Sequence, residues 1–276
     1  MKTNVELNNK TILVTGSPGF IGANLVIRLL KEMTGGKVIS LDSMNDYYDP
    51  KLKEYRLSLI EEISKQSLVE HIFIKGNIAD KSLISKLFNE YRPSVVVNLA
   101  AQAGVRYSID HPDVYVESNL VGFFNILEAC RHYPVEHLVY ASSSSVYGGN
   151  KKIPFSTDDR VDNPVSLYAA TKKSDELLAH SYSKLYNIPS TGLRFFTVYG
   201  PAGRPDMFYY SATQKLVKGD SIQIFKTSAS AHSFTYPSAK AIVSGSIQSS
   251  PSTKDTHCPC ALSTPLFLTI DNPPFS

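Results

Sequence analysis

Three cysteines, Cys130, Cys258 and Cys260, are too few and too oddly placed in 276 residues for a disulfide framework, which suits a reducing compartment and a cytoplasmic chain. No apolar run is long enough to span a bilayer, and Met1-Lys2-Thr3-Asn4 leads into no signal-type stretch, so no membrane attachment is expected. Charge of one sign is scarce too. The formal net charge is +3, with Lys and Arg interspersed among acids instead of forming a basic stripe, which argues against nucleic acid as a partner. So small a positive balance serves plain solubility as well as it serves an anionic ligand. His257 beside Cys258 and Cys260 gives too few ligands at too close a spacing for a metal, and none is expected.

What is present is an alternation of short apolar runs with amphipathic ones. Residues 11–15, 37–41, 71–74, 95–99, 138–141 and 191–195 read as buried strands. Helical patterns lie between them at 20–32, 51–65, 81–91, 114–131 and 167–186, long enough to cross back over a sheet. The expected fold is α/β, a doubly wound parallel sheet of Rossmann type. A helix over 206–218 and a strand over 222–225 would follow. Beyond Phe225 the chain turns Ser-, Thr- and Pro-rich, has no sustained period, and is expected to be poorly ordered. The organisation expected is therefore 1–200 as the nucleotide-binding unit, 201–225 as the start of a small, incomplete substrate domain, and 226–276 as a tail.

Gly16-Ser17-Pro18-Gly19-Phe20-Ile21-Gly22 stands between the first strand and the first helix, the context that a dinucleotide pyrophosphate requires. The first glycine permits the turn, the second lets backbone approach phosphate, and the third lets helix pack on strand. Asp42 ends the second strand, where a carboxylate accepts from both ribose hydroxyls and repels a 2′-phosphate, favouring NAD over NADP; an Asp capping a turn is the alternative. Asn77 and Ile78 follow the third strand, placed for an adenine edge. Ser142-Ser143-Ser144-Ser145 leaves the fifth strand at its carboxyl end. Tyr168 and Lys172, four apart on one helix face, put an ammonium beside a phenol and favour its ionised form, which makes a base.

From about Thr11 to Phe225 the chain resembles extended short-chain dehydrogenases/reductases of the nucleotide-sugar epimerase branch, and within it the 4-epimerases that act on UDP-glucuronate. The likeness is carried by Thr15-Gly16 through Gly22, by 45–50 (NDYYDP), by 100–108 (AAQAGVRYS), by the serine run, by Tyr168 with Lys172, and by 194–201 (RFFTVYGP). The resemblance implies NAD held by Gly16, Gly19, Phe20, Ile21, Gly22, Asp42, Asn77, Ile78, Ala100, Tyr168 and Lys172. It implies Ser143 as the hydroxyl partner, Tyr168 as the base and Lys172 as its electrostatic support, in an isomerase that makes a 4-keto sugar transiently and returns the hydride. Around the nucleotide sugar it implies Arg106, Ser108, Ser143, Ser144, Ser145, Thr197 and Arg204, the last two at the sugar carboxylate. Without the flanking match, Arg204 would read as a solvated loop arginine. Asn119 matches an asparagine that shapes the active-site helix, with a helix-interior amide bonded to backbone as the alternative.

Similar dehydratases carry Asp and Glu where Ser144 and Ser145 stand, and similar decarboxylases carry Glu in place of Ser145, so the serines favour epimerisation. The resemblance further implies a homodimer paired through 114–131 and 167–186, and supply of polysaccharide precursors. It stops abruptly after Phe225, where only Phe234-Thr235-Tyr236 matches the continuing pattern. A reading-frame change or truncation is the expectation there, leaving an NAD-binding remnant and a UDP-glucose/UDP-galactose 4-epimerase as the alternative readings.

Overall fold

Alternate residues of one strand belong to two different cores, which is the physical root of this architecture. In the computed structural model, which describes residues 5–221, 234–235 and 268–272, Ile12 and Val14 pack on one side of the sheet and Leu13 on the other. Six strands run parallel: β1 (Lys10–Thr15), β2 (Gly36–Asp42), β3 (Glu70–Lys75), β4 (Val95–Asn98), β5 (His137–Ser143) and β6 (Ser190–Phe195). Beyond them come β7 (Thr197–Val198), β8 (Phe234–Thr235) and β9 (Leu268–Asn272). The order across the main sheet is β3-β2-β1-β4-β5-β6-β9, with β9 antiparallel to β6, and β7 pairs with β8 apart from it. A sheet apolar on both faces must be covered on both.

Helices α1 (Phe20–Glu32) and α2 (Pro50–Ser64) cover one face, through Leu25, Val26, Leu29 and Ile60. The other face is closed by α3 (Lys81–Tyr91), by α6 (Gly122–His132) through Phe123, Ile126 and Leu127, and by α7 (Leu167–Tyr186). Their starts follow from the residues that precede them. Asp80 accepts from the Ser82 and Leu83 amides at 2.9 and 3.0 Å, and Ser166 from the Ala169 amide at 3.1 Å, each satisfying amides that the first turn leaves free.

Five of the six parallel strands extend one or two residues beyond the expected runs, because ladder pairing continues through polar positions such as Lys10 and Asp42, while β4 stops at Asn98, one residue short of the expected 95–99. The single helix expected over 114–131 is instead a chain of pieces: after the short α4 (Tyr107–Asp110) come α5 (Pro112–Tyr115), a π-helix (Val116–Val121) and α6. One extra residue in that turn brings the Asn119 amide onto neighbouring backbone, and such turns are used where a site needs a displaced side chain. Helix α8 (Phe208–Lys218) begins two residues later than expected, since Asp206 is engaged by Arg204. Strands β8 and β9 fall in the segment expected to lack order; β9 gives the ladder groups of β6 a partner that polar composition alone did not suggest. The strand expected over 222–225, and His257, Cys258 and Cys260, lie outside the described residues.

Candidate functional site

A cavity of about 430 Å³ opens at the carboxyl ends of the strands, reaching from the Gly16 turn through Ala100 and Ser143 to Tyr168 and Lys172. Between β1 and β4 the strand order reverses, and connections that leave in opposite directions part the loops into a crevice there. The two halves of the expected site thus share one hollow.

The glycine turn has the shape that a dinucleotide needs. Gly16 has φ of +71°, its amide donates to the Leu41 carbonyl at 2.7 Å, and a Cβ there would lie 2.7 Å from the Ala100 nitrogen. A Cβ on Gly22 would lie 2.8 Å from Ser17 Cα and closer still to the Gly16 carbonyl, so only glycine lets α1 sit down on the turn. Gly19 is the N-cap of α1 with no side-chain cap, and no acid stands in the first turn. The amides and dipole of that end are left for an anion. Ser17 Oγ is buried without a hydrogen-bond partner, an orphan donor beside the same turn. These residues fit a bound pyrophosphate.

Asp42 is buried at the end of β2, where its carboxylate accepts from the Met44 amide at 2.7 Å and from Lys53 Nζ at 3.3 Å. It is both the turn cap and a lining residue of the hollow. Lys53, which also donates to Asn45 Oδ1 at 2.6 Å, reads in the sequence as an ordinary solvated helix lysine and is in fact 5% exposed. Asn77 and Ile78 line a smaller hollow next to the main one, shared with Asp42, Lys53 and Ala100. Asn77 spends its side chain on the Ala79 amide at 3.0 Å and on Glu117 at 3.3 Å.

The serine run divides by role. All four serines line the cavity, but Ser142 is buried and its hydroxyl is committed to Glu176 Oε1 at 2.6 Å. Ser143 Oγ accepts from the Ser145 amide at 3.1 Å, which starts the 3-10 helix (Ser144–Tyr147) and fixes the hydroxyl at the end of β5. Glu176 also receives Arg194 Nε at 2.9 Å and Nη2 at 3.0 Å, a buried fork that ties α7 to β6 beneath the serines.

Tyr168 stands in the first turn of α7, its ring 6.0 Å edge-on from that of Tyr115. Burial pushes the Tyr115 phenol well above its ordinary range, and it donates to the Ala103 carbonyl at 2.9 Å, which ties it to the loop after β4. Lys172 is 3% exposed, with Nζ 3.0 Å from the Ala141 carbonyl and 3.0 Å from Asp175 Oδ2. Asn119 answers both of its readings: its amide holds the Gln102 backbone at 2.8 and 3.1 Å and donates to Thr171 Oγ1 on α7 at 3.0 Å. The backbone it binds belongs to the loop after β4.

Thr197 and Arg204 line the cavity. The Arg204 fork is taken by Asp206, with Nε 3.0 Å and Nη2 2.5 Å from its two oxygens, and the guanidinium lies 6.0 Å from the Tyr47 ring centroid. Arg204 is thus neither a solvated loop arginine nor an open fork. Arg106 and Ser108 are not among the lining residues. Arg106 is exposed, and Ser108 is buried with its hydroxyl turned to the Val105 carbonyl at 2.7 Å, because this stretch closes into α4 instead of running along the hollow.

Among the described residues no group of three acids, histidines or cysteines could hold a metal, and no helix is long and apolar enough to cross a membrane.

Residues 12–239 match the family model described as "NAD dependent epimerase/dehydratase family". The chain is 53% identical over 225 residues to Protein CapI of Staphylococcus aureus, a match covering 82% of this chain and 65% of that protein. It is 50% identical over 234 residues to UDP-glucuronate 4-epimerase 4 of Arabidopsis thaliana, covering 83% of this chain and 52% of the relative. The chain therefore spans less than two thirds of the length of these relatives. Among solved structures it is similar to the UDP-glucuronic acid 4-epimerase of Bacillus cereus, in complex with UDP-glucuronic acid and NAD, with TM-score 0.74, 36% identity, and coverage of 82% of this chain and 69% of that one.

Proposed function

The chain belongs to the NAD dependent epimerase/dehydratase family, and on that premise we propose that it inverts C4 of a UDP-sugar, with UDP-glucuronate and UDP-galacturonate as the pair interconverted. The observation that carries the reading is the lining of a single cavity by an uncapped helix end, by Ser143, Tyr168 and Lys172, and by Arg204. NAD, when bound, supplies hydride acceptance and return at the sugar carbon. Gly16, Gly19, Gly22 and the first amides of α1 (Phe20, Ile21) would hold its pyrophosphate, with Asp42 at the ribose, Asn77, Ile78 and Ala100 flanking the adenine end, and Lys172 at the other end.

The chain's own part is proton handling and orientation. Tyr168 takes the proton from the sugar 4-hydroxyl, with Ser143 between them, and gives it back to the same oxygen once the ring has presented its other face. Atoms balance, because one proton and one hydride leave and one of each returns. Lys172 gives Tyr168 electrostatic support from the next turn of α7. Ser144 and Ser145 offer hydroxyls and no carboxyl, so the 4-keto sugar meets no acid suited to elimination. Thr197 and Arg204 hold the sugar carboxylate, Asp206 yielding the fork, and a carboxylate held in place is less ready to leave as carbon dioxide from a β-keto acid.

A second substrate reading has its own observation. With Asp206 in the Arg204 fork, the pocket is neutralised and suits a neutral sugar, as in UDP-glucose/UDP-galactose exchange. We also infer a cytoplasmic setting, a place in polysaccharide precursor supply, and a homodimer through α6 and α7, the last supported by exposed Phe124, Leu177 and Leu185.

Incubation with NAD and UDP-glucuronate, with product analysis for UDP-galacturonate, tests the proposal, the Tyr168→Phe protein serving as control. UDP-glucose in a parallel arm separates the two substrates. Retained NAD with neither product would select an NAD-binding protein without epimerase activity.

A further inference from the structure

Beside Lys172 sits a buried carboxylate that the proposed chemistry leaves unused. Asp175 lies three residues on along α7, 2% exposed, with Oδ2 on the Lys172 ammonium at 3.0 Å. Its other oxygen, Oδ1, is buried with no hydrogen-bond partner. A half-satisfied buried acid is costly to a fold, so its cost points to a role. Two of the three ammonium protons of Lys172 are committed, one to Asp175 and one to the Ala141 carbonyl, leaving one for Tyr168 or a ligand.

Among the described residues, the charged groups facing Asp175 are Lys172 and Glu176 of its own helix. Glu176 is already matched by Arg194 from β6 and approached by Lys173 at 3.5 Å, while the Asp175 carboxylate shares its charge with Lys172 alone. Burial pushes the Asp175 carboxyl up to about 6; Lys172 pulls it down and Glu176 raises it further.

Resting on the reading of Tyr168 and Lys172 given above, we propose that Asp175 is a positioning residue that clamps the Lys172 ammonium against the Ala141 carbonyl and weakens the positive field Lys172 exerts at Tyr168. When Asp175 takes a proton, Lys172 acts on Tyr168 with its full charge. Activity therefore declines more gradually on the acid side than a single ionisation would dictate.

Asp175→Asn keeps the shape and removes the charge. Its kcat profile should have an acidic limb about one pH unit lower, with KM for the nucleotide sugar within about twofold, and Asp175→Glu should keep the parent limb. An unmoved or raised limb, or kcat and KM worsening together at every pH, overturns the proposal. A second measurement needs neither turnover nor a folded variant at position 175. In the unsubstituted, NAD-bound protein labelled with ¹³C at Asp Cγ and Tyr Cζ, the Asp175 signal should titrate near pH 6 and the Tyr168 signal should shift with the same midpoint. An Asp175 signal flat between about pH 5 and 7.5, or one that leaves Tyr168 unmoved, also overturns it. Labels that respond in a protein that turns over no UDP-sugar uphold the role of Asp175 and refute the epimerase reading.

Discussion

Glu176 grips Arg194 with both carboxylate oxygens, at 2.9 and 3.0 Å, across the buried seam between α7 and β6. The same carboxylate accepts from Ser142, and Arg194 donates on to the Tyr147 hydroxyl at 3.1 Å, so this pair fixes the strand end that carries Ser143 relative to the helix that carries Tyr168. Both ions are nearly inaccessible, which makes breaking the pair far worse than never having built it. Glu176→Gln should cost about 3–5 kcal/mol of stability, read by denaturant unfolding. A loss under about 1 kcal/mol would assign the seam to packing instead.

At Gly22 the third glycine admits no side chain without displacing α1 from the turn. Strain of overpacking runs to about 1–3 kcal/mol, so Gly22→Ala should weaken NAD binding about 10- to 100-fold, measured by calorimetry. Undiminished affinity would show that the pyrophosphate binds elsewhere.

Arg204 should matter through the sugar carboxylate alone. A hydrogen bond to a charged group contributes about 1.5–3 kcal/mol, so Arg204→Ala should raise KM for UDP-glucuronate about 10- to 100-fold and release a decarboxylated, xylose-type product. For UDP-glucose the effect should be small. Unchanged turnover with no such product contradicts the role.

His71 gives the fold a dependence on pH separate from the site. Burial holds its imidazole below the ordinary histidine range, against a smaller opposing pull from Glu61, and the ring meets Ser40 Oγ at 2.9 Å. The unfolded chain then binds a proton near pH ~6.5 that the native state refuses, so stability falls as pH drops through that value. His71→Gln should flatten the decline in Tm between about pH 7 and 5. An equally steep decline would place its origin elsewhere.

The parts of the site that were legible in the sequence are local. A glycine turn, a serine run and a Tyr and Lys four apart each declare themselves within seven residues, because turn geometry and helical period act at that range. What escaped depends on contacts between distant segments. Arg56 looks like a solvated arginine on α2, yet it is 1% exposed and joins the Pro18 carbonyl of the glycine turn to the Ala202 and Gly203 carbonyls before Arg204. Asp175 has the helical spacing of a surface ion pair with Lys172, yet both are buried where α7 packs on its neighbours, Lys172 reaching the Ala141 carbonyl of β5. The π-turn at Asn119 leaves no mark on apolar periodicity, and β9 is a short segment inside a Ser-, Thr- and Pro-rich stretch that has no sustained period.

In the proposed reaction one hydride leaves C4 and returns to it while Tyr168 handles only the proton. UDP-glucuronate deuterated at C4, turned over in ordinary water, tests it directly by mass and proton NMR of the product. Deuterium should be retained at C4 of UDP-galacturonate, with no product from the Tyr168→Phe protein. Loss of the label to solvent, or full turnover without the Tyr168 hydroxyl, would contradict the account.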